Sequence, residues 1–168
     1  MTEVLEHQEE EKRPALLLVL SILSFISIGF SILATIIGLL GGPLTEDQII
    51  EQRAEMTQSQ TEMRQAGMTG MVSFFDKLEG MLEETNDSFY LSKGVMIITD
   101  FLGLFGVIFM MRRRKLGFHM YIVYSLLAIG GMLLYVSPGN IHISLPIVNV
   151  IFSGLFIFLY SRTLHWMR

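Results

Sequence analysis

Four long apolar segments dominate this sequence and constrain what the chain can fold into. Of its 168 residues, 51% are hydrophobic and 17% are charged, and the apolar residues are gathered into blocks. About 20 apolar residues suffice for an α-helix to cross the hydrocarbon core of a bilayer. Each block approaches or exceeds that length. The sequence therefore predicts an all-α integral membrane protein, a bundle of four transmembrane helices.

Turn residues and charges set the borders of the predicted segments. A Gly-Gly-Pro run ends the first apolar block, and a Pro-Gly-Asn run separates the last two. Glycine and proline in such places mark turns, and Ser144 is the predicted N-cap of the last helix. The resulting segments are a tail (1–13), a first span (14–42), an outer region (43–88), a second span (89–111), a loop (112–115), a third span (116–136), an outer turn (137–144), a fourth span (145–161) and a tail (162–168).

A cluster of four consecutive cations predicts the orientation of the bundle. Arg112, Arg113, Arg114 and Lys115 lie between the second and third spans. Lysine and arginine accumulate in the cytoplasmic loops of membrane proteins. The cluster, together with the cations near the two chain ends, predicts that both termini face the cytoplasm and that residues 44–92 face outward. Those other cations are Lys12, Arg13, Arg162 and Arg168.

The same cluster has further interpretations. We interpret it as a topology anchor, and it could also attract the headgroups of anionic membrane lipids, at about 1 kcal/mol per cation. A nucleic-acid partner is not predicted, because the cluster is only four residues long and sits between two spans.

The outer region between the first and second spans is acidic and is predicted to form a helical hairpin. Thr45 and Gln48 have the spacing of a capping box, and the helix that they open is predicted to run to about Gln65. A second helix is predicted over about Met71 to Glu84, because its apolar residues recur every three or four positions, and residues 86–88 are predicted to turn. The region holds ten acids and three cations.

So small a hairpin has a thin core, which favours a packing partner. We therefore predict that its apolar face binds a larger membrane or extracytoplasmic protein, or lies on the membrane or the first helix. The residues of this face are Phe74, Phe75, Leu78, Met81 and Leu82.

Asp100 is the one acid that the sequence places deep within a span. It lies about 18 Å of helix before Arg112, near the middle of the bilayer. A charge at that depth costs several kcal/mol, so we expect the group to be neutral, paired or next to water. Residues of the other three spans fall at a similar depth and predict an intramembrane polar layer. This layer comprises Asp100, Ser27, Ser125, Asn149 and Ser153.

Two interpretations of Asp100 follow. In the first, the acid hydrogen-bonds to neighbouring helices and holds them together. In the second, it binds a proton or a cation during transport. A stripe of hydroxyls in the first span supports either interpretation, as a packing face or as a water-lined path. The stripe consists of Ser21, Ser24, Ser27, Ser31 and Thr35.

The main functional hypothesis is a non-enzymatic accessory or scaffold subunit that presents its acidic outer region to a larger partner. The alternative is a small transporter or channel component that uses Asp100. A third hypothesis is a copper sensor based on outer methionines such as Met68 and Met71. The sequence has no cysteine, phosphate-binding loop or hydrolase motif. No enzyme, cofactor or metal site is therefore predicted, and homo-oligomerisation is left open.

The run Lys115-Leu116-Gly117-Phe118-His119-Met120-Tyr121 opens a helix after a basic turn. It resembles a pattern in small uncharacterised bacterial four-span membrane proteins. The resemblance covers under a tenth of the chain, and it implies a bacterial inner membrane and no particular activity. Claudins share the number of spans, but the cysteines of their outer loop are absent here.

Overall fold

The computed structural model describes residues 14–168, which fold into six α-helices and three short 3-10 helices, with no strand in that range. The tail predicted at 1–13, with Lys12 and Arg13, lies outside the described residues. The α-helices are α1 (Ala15–Gly41), α2 (Glu46–Gln65), α3 (Thr69–Asp87), α4 (Phe89–Met111), α5 (Leu116–Gly130) and α6 (Ser144–Ser161). The 3-10 helices cover Gly131–Leu134, Pro138–Asn140 and Leu164–Trp166.

Four helical segments are long and apolar enough to cross a bilayer. They are Ala15–Gly41, Phe89–Met111, Leu116–Leu134 and Ser144–Ser161. They coincide with the four spans predicted from the sequence, so the prediction of an all-α membrane protein with four spanning helices is confirmed. Helices α2 and α3 occupy the region predicted to be a helical hairpin, and their contact with each other agrees with that arrangement.

Two local predictions were wrong, and the third span changes helix type along its length. Residues 86 and 87 do not turn, because α3 runs through Asp87 and only Ser88 separates it from α4. Ser144 is the first residue of α6 rather than its N-cap, which is Ile143. The Ser144 hydroxyl lies 2.8 Å from Nδ1 of His142 instead. The third span is α-helical only to Gly130 and continues as a 3-10 helix.

The four spanning helices form a ring in which α1 packs on α4, α4 on α5, α5 on α6, and α6 on α1. The closest approach is between α4 and α5 at Gly106 and Gly117. A Cβ atom on Gly117 would press against the carbonyl oxygen of Gly106 and the amide nitrogen of Met110. Since glycine has no Cβ atom, the two backbones can touch, as is common where helices associate within membranes.

The hydrophobic core lies at the end of the bundle where α1 and α5 begin and α4 and α6 end. Its largest fully buried side chains include Tyr160, Leu17 and Met110. Trp166 and Met167 follow α6 and are buried in the same cluster. The residues after the last span therefore complete the core instead of extending into solvent.

Backbone hydrogen bonds join those final residues to the basic loop. The amide of Arg168 donates to the carbonyl oxygen of Arg113 over 2.6 Å, and the amide of Lys115 donates to the carbonyl oxygen of Arg168 over 3.1 Å. The Arg113 guanidinium lies 4.6 Å from the centre of the Trp166 ring. Cations that are far apart in the sequence are thus gathered at one end of the bundle.

The Gly106–Gly117 contact predicts that replacing glycine by alanine has different effects on stability at two positions, one inside the contact and one outside it. Gly117→Ala should destabilise the protein by about 1–3 kcal/mol, because the new methyl group forces α4 and α5 apart. Gly154→Ala is the matched control, since a Cβ atom there meets nothing within 4 Å. Alanine favours a helix by about 1 kcal/mol over glycine, so this variant should be unchanged or stabilised. Unfolding midpoints in detergent would measure both, and equal midpoints would contradict the importance of the contact.

Candidate functional sites: the intramembrane polar layer and the outer hairpin

Asp100 is buried on α4, with 5% of its surface exposed. The hydroxyl of Ser31 donates to Oδ2 of Asp100 over 2.7 Å. Ser31 belongs to the predicted hydroxyl stripe, but it lies one helical turn from Ser27, the residue expected from depth. Counting residues gives only a level in the bilayer, whereas the rotation of α1 about its axis decides which hydroxyl faces α4. Within residues 14–168, the ion pairs involve Arg53 and leave Asp100 without a cation.

Three other members of the predicted polar layer come together around a cavity between α1, α5 and α6. The cavity has a volume of about 220 Å³, and its lining includes Ser27, Asn149 and Ser153. Asp100 does not line it. The predicted layer is therefore divided into a polar cavity and a neighbouring Ser31–Asp100 hydrogen bond.

Ser125, the fifth predicted member, is outside both groups. It is 2% exposed on α5, and its hydroxyl has no hydrogen-bond partner in the described part of the chain. Its side chain does not line the cavity, and its depth in the bilayer stays a prediction.

Two tyrosines that are not members of the predicted polar layer also place their side chains in this region. Tyr160 is fully buried, and its hydroxyl lies 3.0 Å from that of Ser24. Tyr121 packs edge-to-face on Tyr160 with ring centres 4.8 Å apart, and it also lines the cavity. The long side chain of a tyrosine near the end of a span can reach into the bundle. In the sequence, only the hydroxyl stripe on α1 indicated a hydrogen-bonding side chain that faces it.

The outer hairpin begins with the capping box predicted from the sequence. The Thr45 hydroxyl accepts from the amide of Gln48, and the Gln48 side chain accepts from the amide of Thr45 over 3.0 Å. Arg53 on α2 pairs with Glu79 over 3.4 Å and also with Glu83, both on α3. The arginine thus joins the two helices and is neutralised within the hairpin.

Several polar contacts fasten the hairpin to the bundle. The amide of Leu44 donates to Oδ1 of Asn86 over 2.7 Å, and Nδ2 of Asn86 donates back to the Leu44 carbonyl oxygen over 3.2 Å. The ammonium group of Lys77 donates to the carbonyl oxygen of Gly139, and the amide of Ser137 donates to Glu84. All three side chains belong to α3, so these contacts tie that helix to the segment that follows α1 and to the turn between α5 and α6.

The apolar face that the sequence assigns to a partner is already engaged in part. Phe74, Phe75, Leu78, Met81 and Leu82 are all half-buried. Phe74 packs edge-to-face on His142 with ring centres 5.3 Å apart. Partner binding by these five residues stays a prediction, and only part of each side chain is accessible for it.

Helix α2 presents a different surface, formed by acids. Its five carboxylate side chains all belong to exposed residues, and within α2 the only exposed cation is Arg64. Among residues 14–168, no group of three histidines or acids is arranged to hold a metal ion. The acids are therefore spread along the helix rather than gathered into one site. They are Glu46, Asp47, Glu51, Glu55 and Glu62.

These features define a four-span helical membrane protein with a polar cavity within the bundle and an acidic helical hairpin mounted on one end. Comparisons with protein-family models, with curated proteins and with solved structures gave no match.

The Ser137–Glu84 hydrogen bond predicts a pH dependence of the hairpin's attachment. The amide of Ser137 lowers the pKa of Glu84 from its ordinary value of 4.5, because it stabilises the carboxylate. A lowered pKa in the folded state means that the contact contributes above pH 4.5 and is lost as the pH falls through the folded value. We expect the Ser137 amide resonance to report this loss in an NMR titration of the protein in micelles.

Glu84→Gln is the control for that titration, because its side-chain oxygen still accepts a hydrogen bond but does not titrate. The Ser137 resonance should then be constant through the acid range. An identical titration in the variant and the parent would show that another group is responsible.

Proposed function

We propose that the protein is a non-enzymatic accessory or scaffold subunit of a membrane assembly, which presents α2 to a larger partner with a basic surface. The observation that carries the proposal is the exposed row of five carboxylates on α2. Arg53, a second cation of α2, is already paired with Glu79 and Glu83 on α3. The outward face of α2 therefore keeps a strong negative charge, which attracts and orients a basic partner.

The way the hairpin is mounted supports the same proposal. Asn86 joins it to Leu44, and Lys77 and Glu84 join it to the turn that follows the third span. A surface that is held in place before binding loses less conformational entropy when a partner docks. This arrangement suits a binding platform better than a loosely tethered outer loop.

The proposed orientation places both termini in the cytoplasm and the hairpin outside. Its support is the separation of charge along the bundle. Exposed cations accumulate at the end where α4 finishes and α5 begins, whereas the acids of α2 and α3 lie beyond the opposite end. The basic end would contact anionic lipid headgroups. The resemblance of residues 115–121 favours a bacterial inner membrane, and the partner would then be a membrane or periplasmic protein.

The acidic face can be tested with a paired charge substitution. In the double variant Glu51→Gln and Glu55→Gln, cross-linked capture of the partner from native membranes should fall roughly two- to thirtyfold, since each of the two exposed ion pairs contributes about 0.2–1 kcal/mol. Capture by the parent should also weaken at 1 M salt, where charges are screened beyond about 3 Å. Quantitative mass spectrometry of the captured proteins provides the measurement.

The matched control is the double variant Asp76→Asn and Asp87→Asn. It removes the same charge from exposed positions of the same hairpin, but on α3. Equal losses in the two double variants would indicate a general charge effect. A complex that forms at full strength in the α2 variant, or that is insensitive to salt, would contradict the proposal.

The second candidate function is a small transporter or channel component that uses Asp100 as a proton or cation site. The observation that favours it is a buried carboxyl group with one hydrogen bond, from Ser31, and no cation paired with it among residues 14–168. An unpaired charge inside a membrane is energetically costly, so acids are rare there. Those that do occur in spanning helices often serve a function such as proton or ion transport.

Asp100→Asn tests this second candidate. Asparagine can still accept a hydrogen bond from Ser31 but cannot exchange a proton, so pH-dependent flux in proteoliposomes should fall to the background rate while the fold is kept. Asp87→Asn makes the same chemical change outside the spans and should leave the flux intact. Unchanged flux in Asp100→Asn, or no flux in the parent protein, would exclude this function.

A further inference from the structure

The cavity between α1, α5 and α6 combines aromatic walls with polar side chains. Tyr121, Tyr124 and Phe156 supply aromatic surface, and Ser27, Asn149 and Ser153 supply hydroxyl and amide groups. An engineered apolar cavity of about 150 Å³ is large enough to bind benzene. This one, at about 220 Å³, has room for a somewhat larger ring compound.

Three of the polar side chains that border the cavity have no hydrogen-bond partner in the described part of the chain, whereas Ser24, which also borders it, is bonded to Tyr160. The side chains of Ser27, Asn149 and Ser153 make no hydrogen bond to any residue among 14–168. They lie within spanning helices, where bulk water is absent and an unpaired polar group costs several kcal/mol. A molecule in the cavity that offers a hydrogen-bonding oxygen would satisfy them.

The lining also indicates the charge of that molecule. Among residues 14–168, no charged side chain borders the cavity, and Asp100, which is hydrogen-bonded to Ser31, is not part of its lining. An ion would therefore enter without a countercharge in contact, which is unfavourable in so apolar a setting. The lining favours a neutral ligand.

Access to the cavity is from the side of the bundle. Leu23, Ser27 and Phe152 border it and are exposed, which places its opening between α1 and α6 on the surface that faces lipid. Helix α6 is also the least buried span, with 6% of its residues buried against 33% for α4. A ligand that reaches the cavity by this route must dissolve in the bilayer.

We infer that this cavity binds a small, neutral, lipid-soluble aromatic molecule that carries a hydroxyl or carbonyl oxygen. Its ring would pack against Tyr121, Tyr124 and Phe156, in the offset or edge-to-face geometry that aromatic groups prefer. Its oxygen would bond to Asn149 and the adjacent hydroxyls. The inference is independent of the proposed role of the outer hairpin, since it concerns only the spanning helices.

Three probes of similar size test the inference on the full-length protein in phosphatidylcholine nanodiscs. They are 1-naphthol, which has the ring and the hydroxyl, naphthalene, which lacks the hydroxyl, and 1-naphthoate, which is charged. A ligand that binds the folded state raises the unfolding temperature in a saturable manner. At equal concentration in the bilayer, 1-naphthol should give a saturable rise, naphthalene a smaller one and 1-naphthoate none.

Substitutions in the lining locate the site. Asn149→Leu should weaken 1-naphthol binding about tenfold, the effect of one lost hydrogen bond, while naphthalene binding changes little. Ala128→Phe should fill the cavity and abolish the response to both probes. Ile151→Phe is the control, because Ile151 is exposed on α6 and does not border the cavity.

The comparison of the three probes on the parent protein tests whether the cavity binds a ligand, even where a variant fails to fold. Equal, non-saturable responses to 1-naphthol and naphthalene would show partition into lipid only and overturn the inference. A cavity occupied by water alone would give no saturable response to any probe, which also overturns it. A response that persists in Ala128→Phe would place binding elsewhere on the protein.

Discussion

The contact between Gly106 on α4 and Gly117 on α5 is the constraint on which the arrangement of the bundle depends. Without a Cβ atom at either position, the two backbones meet directly. The basic loop is consequently short and tight, with Arg113 in a left-handed conformation at φ 64°. A third glycine, Gly103, receives the ring of Tyr124. Close packing of α4 on α5 thus places the Tyr124 ring against Gly103, and the same side chain borders the cavity.

Some polar side chains of the spanning helices are hydrogen-bonded to a neighbouring helix, and others have no such bond. Ser24 meets Tyr160, and Ser31 meets Asp100; each pair links α1 to another helix of the ring. In hydrocarbon such bonds add modestly to helix association, about 1 kcal/mol or less. Ser27, Asn149 and Ser153, which have no hydrogen-bond partner among residues 14–168, border the cavity next to α6, the most loosely packed span, whereas Ser125 is unpaired elsewhere in the bundle. The bundle therefore has a well-packed side formed by α4 and α5 and an open, polar side at α6.

The two ends of the bundle are built by different interactions. At the basic end, the buried Trp166 and the backbone of Arg168 close the core against the loop between α4 and α5. At the acidic end, Asn86 and Glu84 fasten the hairpin to the spans through hydrogen bonds. The basic end is thus closed by buried aromatic and apolar side chains together with backbone hydrogen bonds, whereas the acidic end combines side-chain hydrogen bonds with the packing of Phe74 on His142.

The sequence alone determined the four spans, the helical outer region and the capping box at Thr45, because these follow from local apolar runs, helix periodicity and cap spacing. It also placed Asp100, Ser27 and Asn149 at one depth, since depth is a count of residues along each helix. Only the tertiary structure decided that Ser31 bonds to Asp100 and that Ser27 and Asn149 border a cavity. Those pairings depend on the rotation of each helix about its axis, which glycine contacts between helices set and which no single helix encodes.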